Sequence, residues 1–379
     1  MLKTTLTLAL TAAAATVLAG NTSAPAKEAA KEESAFDRLW SLPTLYKNKD
    51  NPFIQEFRLI GRFHGDIYSV DSGHGYDQDW IVRRLRAGLK MTFLHDFEAT
   101  GEVSFQPQFH AHPFYERITQ ANIAWKPSKA FNLIVGKQSI KFGMDGSLSS
   151  NELITTERSQ VSNNLWFPNE YLSAITATGK VGNWIYRATY GSGSDNAEFG
   201  DFEGGFFGVA SVGYDFGHAL GAKKAVAKFD YIFNDPNPRS TGAKLWEQVG
   251  SLSLDLDYGQ WGLRSEFAAG RGFGAQSDAI GFMVEPFYNI TDKLQAVARY
   301  TYLHSDDPNG LALLGRYETK VTSGRGDEYN AIYAGLNYYI YGHKLKIQSG
   351  WEYAQMKDSA NDGGDYAGWT WTTGLRFSF

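Results

Sequence analysis

From position 55 to its last residue, the chain repeats one pattern: stretches in which every second side chain is apolar, separated by Gly, Asn, Asp and Pro. Successive side chains of a strand point to opposite faces, so each stretch makes a ribbon with one oily and one polar face. At the C-terminus, Trp369, Trp371, Leu375, Phe377 and Phe379 alternate with Thr370, Thr372, Gly374, Arg376 and Ser378. Residues 55–68 set Phe57, Leu59, Phe63 and Ile67 against Arg58, Arg62, His64 and Asp66; residues 80–94 set Leu85, Ala87, Leu89, Met91 and Phe93 against Arg84, Arg86 and Lys90. Further strands are predicted at 97–109, 117–126, 131–142, 172–180, 183–191, 207–216, 225–234, 247–257, 261–269, 280–289, 294–303, 329–340, 344–354 and 369–379, about sixteen in all.

The predicted connections alternate in length. Those at 126–130, 181–182, 217–223, 258–260, 291–293 and 341–343 are short; those between them are mostly longer, notably 143–171 and 305–328. An even number of two-faced strands with alternating short and long connections describes an all-β transmembrane antiparallel β-barrel of about 16 strands, with short periplasmic turns and long external loops. A soluble β-sandwich shares the alternation but leaves the loop lengths and the leader unexplained.

Composition narrows this further. Charged residues make up 20% of the 379 and the mean hydropathy is −0.35, which excludes a bundle of spanning helices, since each needs about 20 consecutive apolar residues. The 21 Tyr, 10 Trp and 40 Gly suit aromatic girdles and tight turns. Cysteine is absent, so disulfides, thiolate catalysis and Cys-ligated metals are excluded. A net charge of −5 gives no basic footprint for nucleic acid. At the N-terminus, Lys3, an apolar run over residues 6–19 and the small-residue end Val17-Leu18-Ala19 predict a signal peptide over 1–19. Residues 20–53 read as a periplasmic N-terminal segment with one short helix near 26–41, and 54–379 as the barrel.

A terminal phenylalanine on a two-faced strand resembles the ending of chains assembled into the bacterial outer membrane. Val135-Gly-Lys-Gln-Ser-Ile-Lys-Phe-Gly-Met144 with Ser149-Ser-Asn-Glu-Leu-Ile-Thr-Thr-Glu-Arg-Ser159 resembles the phosphate-selective porin O/P family. Arg83-Arg-Leu-Arg-Ala-Gly-Leu89 and Asp327-Glu-Tyr-Asn-Ala-Ile-Tyr-Ala-Gly-Leu-Asn-Tyr-Tyr339 are similar to two further strands of that family; Ile140-Lys141-Phe142 departs from its usual Pro-Phe pair. The resemblance implies a sixteen-stranded, usually homotrimeric porin of the outer membrane, whose third long loop, 143–171, folds inward and narrows the lumen. It also implies passive diffusion of small hydrophilic solutes, anion-preferring and extending to phosphate or polyphosphate.

Fixed cations with several N–H donors replace the hydration an anion loses in a narrow pore, and the planar fork of arginine suits phosphate oxygens. Alternation sends Arg58, Arg62, Arg84, Arg86, Lys90, Arg187, Arg264, Arg299, Lys344, Lys346 and Arg376 to the polar face, and places Lys137, Lys141 and Arg158 nearest the narrowest point. Glu157 is expected to anchor the constriction loop to the wall. If Glu98, Glu102, Asp230, Asp255, Asp257, Glu266 and Glu285 pair with these cations, the pore is instead general and weakly selective. His110 and His112 form an i, i+2 pair without a carboxylate, weak as a metal site. No nucleophile motif supports the other class of reading, a barrel enzyme such as a lipase. A third, a structural barrel plugged by its loops, predicts no conductance. Transport by diffusion calls for no cofactor, and its partners are small anions and outer-membrane lipid, not nucleic acid.

Overall fold

The computed structural model describes residues 34–107, 113–165, 170–240 and 246–379. The expected signal peptide, the first part of the periplasmic segment and the His110/His112 pair lie outside the described residues. Sixteen antiparallel strands pair in chain order: β1 (Ile54–Ser72), β2 (Gly75–Phe93), β3 (Phe97–Phe105), β4 (Tyr115–Trp125), β5 (Asn132–Ser139), β6 (Tyr171–Val181), β7 (Trp184–Ser192), β8 (Phe206–Asp215), β9 (Lys224–Asn234), β10 (Trp246–Asp257), β11 (Trp261–Gly272), β12 (Ala279–Asn289), β13 (Leu294–Ser305), β14 (Glu328–Tyr341), β15 (Leu345–Lys357) and β16 (Tyr366–Ser378). Pairing of β16 with β1, from Gly368 opposite Ser72 to Ser378 opposite Arg62, closes the barrel. Among the described residues, α-helices are limited to α1 (Ala35–Ser41), α2 (Met144–Ser147), α3 (Gln160–Leu165) and α4 (Gly217–Leu220).

The two-residue period appears in space as a wall with two faces. In β12, Ile280, Phe282, Val284 and Tyr288 are exposed, while Met283, Glu285 and Phe287 are buried inside. Elsewhere on the outer wall Ile332 is 60% exposed, Trp351 53% and Trp369 52%, an apolar surface suited to hydrocarbon. One boundary differs from expectation. Residues 69–79 read as a loop, yet β1 and β2 run nineteen residues each and meet at Gly73-His74. Spanning needs only about 9–11 residues; above the bilayer both faces are wet, so alternation fades while pairing continues.

Two external loops fold inward. Residues 140–165 bring Phe142, Met144, Val161 and Leu165 into the lumen, and residues 306–327 bring Leu311 and Leu313 onto the same cluster, against Phe207, Trp246, Met283 and Tyr329 of the wall. Each such side chain contributes about 1.5–3 kcal/mol relative to exposure. The inward path of residues 306–327 carries no signal in the alternation, because both inward and outward loops are irregular.

Where β5 ends and its loop turns inward, the wall is left with an edge: β4 pairs with β5 only from Ala121 opposite Lys137 to Trp125 opposite Leu133. The loop between β7 and β8 covers that edge. Ala197 accepts a 2.8 Å backbone bond from Ile118 N, Arg117 pairs with Asp195 at 2.9 Å, and the Lys137 ammonium donates to the carbonyls of Asn196, Ala197 and Glu198. Lys137, expected near the narrowest point, is committed to this loop. It shares the phase of Leu133 and Val135, opposite to Ile134 and Gln138, which line the lumen. Lys137→Met removes all three donations, so we expect the 193–205 loop to be cut at least several-fold faster by added protease in detergent while the barrel stays heat-modifiable. Unchanged cleavage would show that the clamp does not hold the loop.

Candidate functional site

The inward loops bury their apolar side chains mainly against β8–β16 and leave a cavity of about 440 Å³ along β1–β7. One side of it is wall: Arg58, Arg62, Lys90, Lys126, Lys141 and Arg187 all line it. The other side is the constriction loop, which presents Leu148, Ser149, Ser150 and Asn151 there, with Glu170 lining the cavity where the loop rejoins the wall. Carboxylates neutralise part of the wall. Lys90 and Lys126 share Glu98 at 2.9 and 2.7 Å; Arg62 and Arg86 face Glu102 at 3.3 and 3.6 Å; Arg58 lies 3.8 Å from Glu56. Arg62 also donates to Ser150 Oγ at 2.9 Å, and Arg86 donates to the Tyr171 hydroxyl and lies 4.7 Å from the ring centroid.

Lys141 and Arg187 differ from the rest: among the described residues neither has a hydrogen bond or an ion pair, and both are half-buried on the cavity wall. Burial, countered by Glu170 and reinforced by Arg158, Arg187 and Arg62, pulls the Lys141 ammonium down to about 8. It is charged below that pH and loses its proton above it.

Other cations predicted for the pore are occupied in holding the loop. Arg158 is buried, donating to the carbonyls of Asp145 (3.0 Å) and Leu148 (3.1 Å) beside α2 and facing Glu170 at 3.6 Å. These two donations, with the Glu170 contact, brace the loop around α2. Arg299 reaches Thr155 Oγ1 (3.1 Å), the Glu157 carbonyl (2.8 Å) and Glu352 (2.9 Å). Arg376 pairs with Asp66 and donates to the Thr156 carbonyl; Lys346 donates to the Leu153 carbonyl. Lys344 is exposed beside Tyr341. Arg264 opens onto a second, periplasmic cavity of about 490 Å³, with Asp255 and Glu285 at 3.8 and 3.7 Å.

Glu157 is gripped by two arginines. Arg83 takes both its oxygens and Arg316 of the second inward loop lies at 3.0 Å; against the raising effect of burial, these hold its carboxyl at about 2. Strict alternation hides Arg83 on the lipid face. A β-bulge places it inside: the register steps from His64 opposite Arg84 to Gly65 opposite Val82, adding one residue to β2. Arg84 sits at that bulge, with Nη1 buried and lacking a hydrogen-bond partner among the described residues. The second loop adds Tyr317, whose hydroxyl donates to Asp66 at 3.0 Å, and Glu318, which accepts from Leu314 N and the Tyr329 hydroxyl at 2.6 and 2.7 Å. Residues from both loops thus meet one wall network that no local motif announces.

A closed sixteen-strand barrel with an oily outer wall, a polar lumen and an inward third loop is an outer-membrane porin. Residues 57–379 match the family described as phosphate-selective porin O and P, and the chain belongs to that family. Its fold is similar to that of an anion-selective porin from Comamonas acidovorans (13% identity, TM-score 0.60, 85% of this chain and 99% of that one). It is similar, too, to OmpF of Salmonella typhi in complex with daunomycin (13%, 0.60, 89% and 100%) and the channel DcaP of Acinetobacter baumannii (14%, 0.56, 88% and 100%). Among curated protein sequences, none matches significantly. The chain resides in the bacterial outer membrane.

Removing one member of a buried ion pair costs about 3–5 kcal/mol because the other charge is left without a partner. We expect Glu157→Gln to free both inward loops, lowering the unfolding temperature and raising single-channel conductance and open-channel noise. Wild-type conductance with wild-type noise would show that Glu157 is dispensable to the constriction.

Proposed function

We propose that this porin prefers anions, and oxyanions such as phosphate above chloride, because its lumen cavity sets a wall rich in cations against the hydroxyl and amide groups of Ser149–Asn151. The observation that carries this reading is the pair Lys141 and Arg187, cations that line the lumen cavity with Ser149–Asn151 and have no hydrogen bond or ion pair among the described residues. A fixed cation in a low-dielectric mouth concentrates counter-ions. Arginine adds a bidentate fork, and the hydroxyls of Ser149, Ser150 and Thr176 add donors for oxyanion oxygens. Passage is diffusive, with no chemical step and no cofactor. Arg62, Arg86, Lys90 and Arg58, each facing a carboxylate, shape the field around the two free cations. Were Glu98, Glu102 and Glu170 to cancel that field, the pore would be general.

The test is a planar-bilayer recording under a KCl gradient, with reversal potential read before and after millimolar phosphate. We expect anion selectivity, phosphate block of chloride current, and a loss of roughly tenfold in the anion-to-cation permeability ratio in Lys141→Gln/Arg187→Gln. Because the Lys141 ammonium is charged only below about 8, wild-type anion preference is expected to fall between pH 7 and pH 9, and Lys141→Gln to lack that fall. An unselective, phosphate-insensitive conductance would sink the reading in favour of a general pore.

We further propose a homotrimer seated on the outer wall of β1–β5. A groove of about 570 Å³ there is floored by the small residues Ala99, Gly101 and Ala121 between Phe57, Met91 and Val135, a relief that suits protein packing better than mobile acyl chains. Ala99→Trp fills it, and we expect cross-linked trimer in mild detergent to give way to monomer. Trimer unaffected by Ala99→Trp, or a wild type that is monomeric, would refute this placement.

A further inference from the structure

The seam between β16 and β1 stays open at its periplasmic end. Gly61 and Phe379 exchange the last backbone bonds between the two strands, at 3.1 and 3.0 Å, and β1 continues below them to Ile54. The N-terminal segment takes up that edge. Thr44–Lys47 pairs with β1, Thr44 opposite Arg58 and Lys47 opposite Glu56, and Pro43 O accepts from Leu59 N at 2.8 Å. Helix α1 packs just beside it. Phe36 stacks on Tyr341 at 5.5 Å, Trp40 lies 4.8 Å from Tyr341 and 5.5 Å from Phe377, and Trp40 Nε1 donates to Ser378 O at 2.7 Å. Phe377 belongs to the lipid-facing phase of β16, so α1 sits against the outer wall.

At about 100° per residue, Phe36, Trp40, Leu39 and Leu42 span an arc of roughly 160°, and Asp37, Arg38 and Ser41 occupy the remainder. The barrel covers the Phe36/Trp40 end of that arc. Its other end is uncovered: Leu39 is 51% and Leu42 69% exposed, followed by Leu45 at 56% and Phe53 at 69%. Arg38, Lys47 and Lys49 are interspersed among them, with Asp37 and Asp50, and Lys47 lies 3.6 Å from Glu56. Four large apolar side chains flanked by cations, continuous with the lipid belt at Phe377 and Phe379, have the make-up of an interfacial amphipathic element.

We propose that residues 35–53 dock on the phospholipid of the periplasmic leaflet, Leu39, Leu42, Leu45 and Phe53 entering the acyl boundary and the basic side chains meeting phosphate headgroups. The segment fastens the seam from below, by strand pairing on one side and lipid on the other. The occupant is lipid and not a second copy of the chain, because the uncovered leucines extend the lipid-facing wall at the level where strand closure ends, whereas the small-residue groove suited to protein packing is floored by β3 and β4 and reaches β1 only at Phe57.

The absence of cysteine makes this directly measurable. Single variants Leu42→Cys and Asp50→Cys of the full barrel, each labelled with a polarity-sensitive fluorophore and checked for heat-modifiable migration, are reconstituted into phosphatidylethanolamine/phosphatidylglycerol vesicles. The label at 42 is expected to emit to the blue of that at 50 and to be quenched several-fold more strongly by lipid carrying a nitroxide near its headgroup than by iodide; the label at 50 is expected to show the reverse. Iodide quenching at 42 equal to that at 50 would overturn the proposal, because the face would then be in water. Shielding at 42 from both quenchers would overturn it equally, since the cover would then be protein. Leu39→Cys, labelled alike, must follow Leu42→Cys for the proposal to stand.

Discussion

Hydrocarbon offers no partner to a backbone N–H or C=O, and each group left bare costs several kcal/mol. Everything else in this molecule is arranged around meeting that demand. Sixteen strands satisfy one another by closing β16 onto β1. Wherever a strand departs early, another piece of chain is laid along the edge it leaves. The 193–205 loop does so beside β4, where β5 turns inward, and Thr44–Lys47 does so beside β1, where the chain ends. The Lys137 ammonium, clamped by three carbonyls of that loop, is part of this sealing of the wall.

Inside the closed wall the problem reverses. The lumen admits water, so a loop folded into it is held only by what it buries and pairs. Two loops share that task, with an apolar cluster toward β8–β15 and a charged one at Asp66, Arg83, Glu157, Arg299 and Arg376. Most of the interior arginines are consumed by it. Two cations on the cavity wall have no hydrogen bond or ion pair among the described residues, and position sets them apart: Lys141 where β5 becomes loop, and Arg187 on β7. Selectivity in such a pore follows from which charges the scaffold leaves unsatisfied more than from how many it carries.

The strands were legible in the chain because their signal is local. A period of two, with turn residues at its ends, requires only that one face meet lipid and the other water, and all sixteen predicted segments coincide with barrel strands. Failures of the pattern came where that contrast vanishes, as along residues 69–79 above the bilayer, or where a bulge shifts the phase by one, as at Arg83. A single extra residue exchanges the faces, and nothing in the side chains around Arg83 and Arg84 indicates which of the two is the insertion.

Architecture, membrane residence and family thus followed from alternation, terminal aromatics and a few motifs, since each is a property of consecutive residues. The division of the cations into loop anchors, wall clamps and free charges did not. It depends on distances between residues as far apart in the chain as Asp66 and Tyr317 or Glu157 and Arg299, and such distances exist only once the barrel has closed and its loops have chosen a side of the lumen.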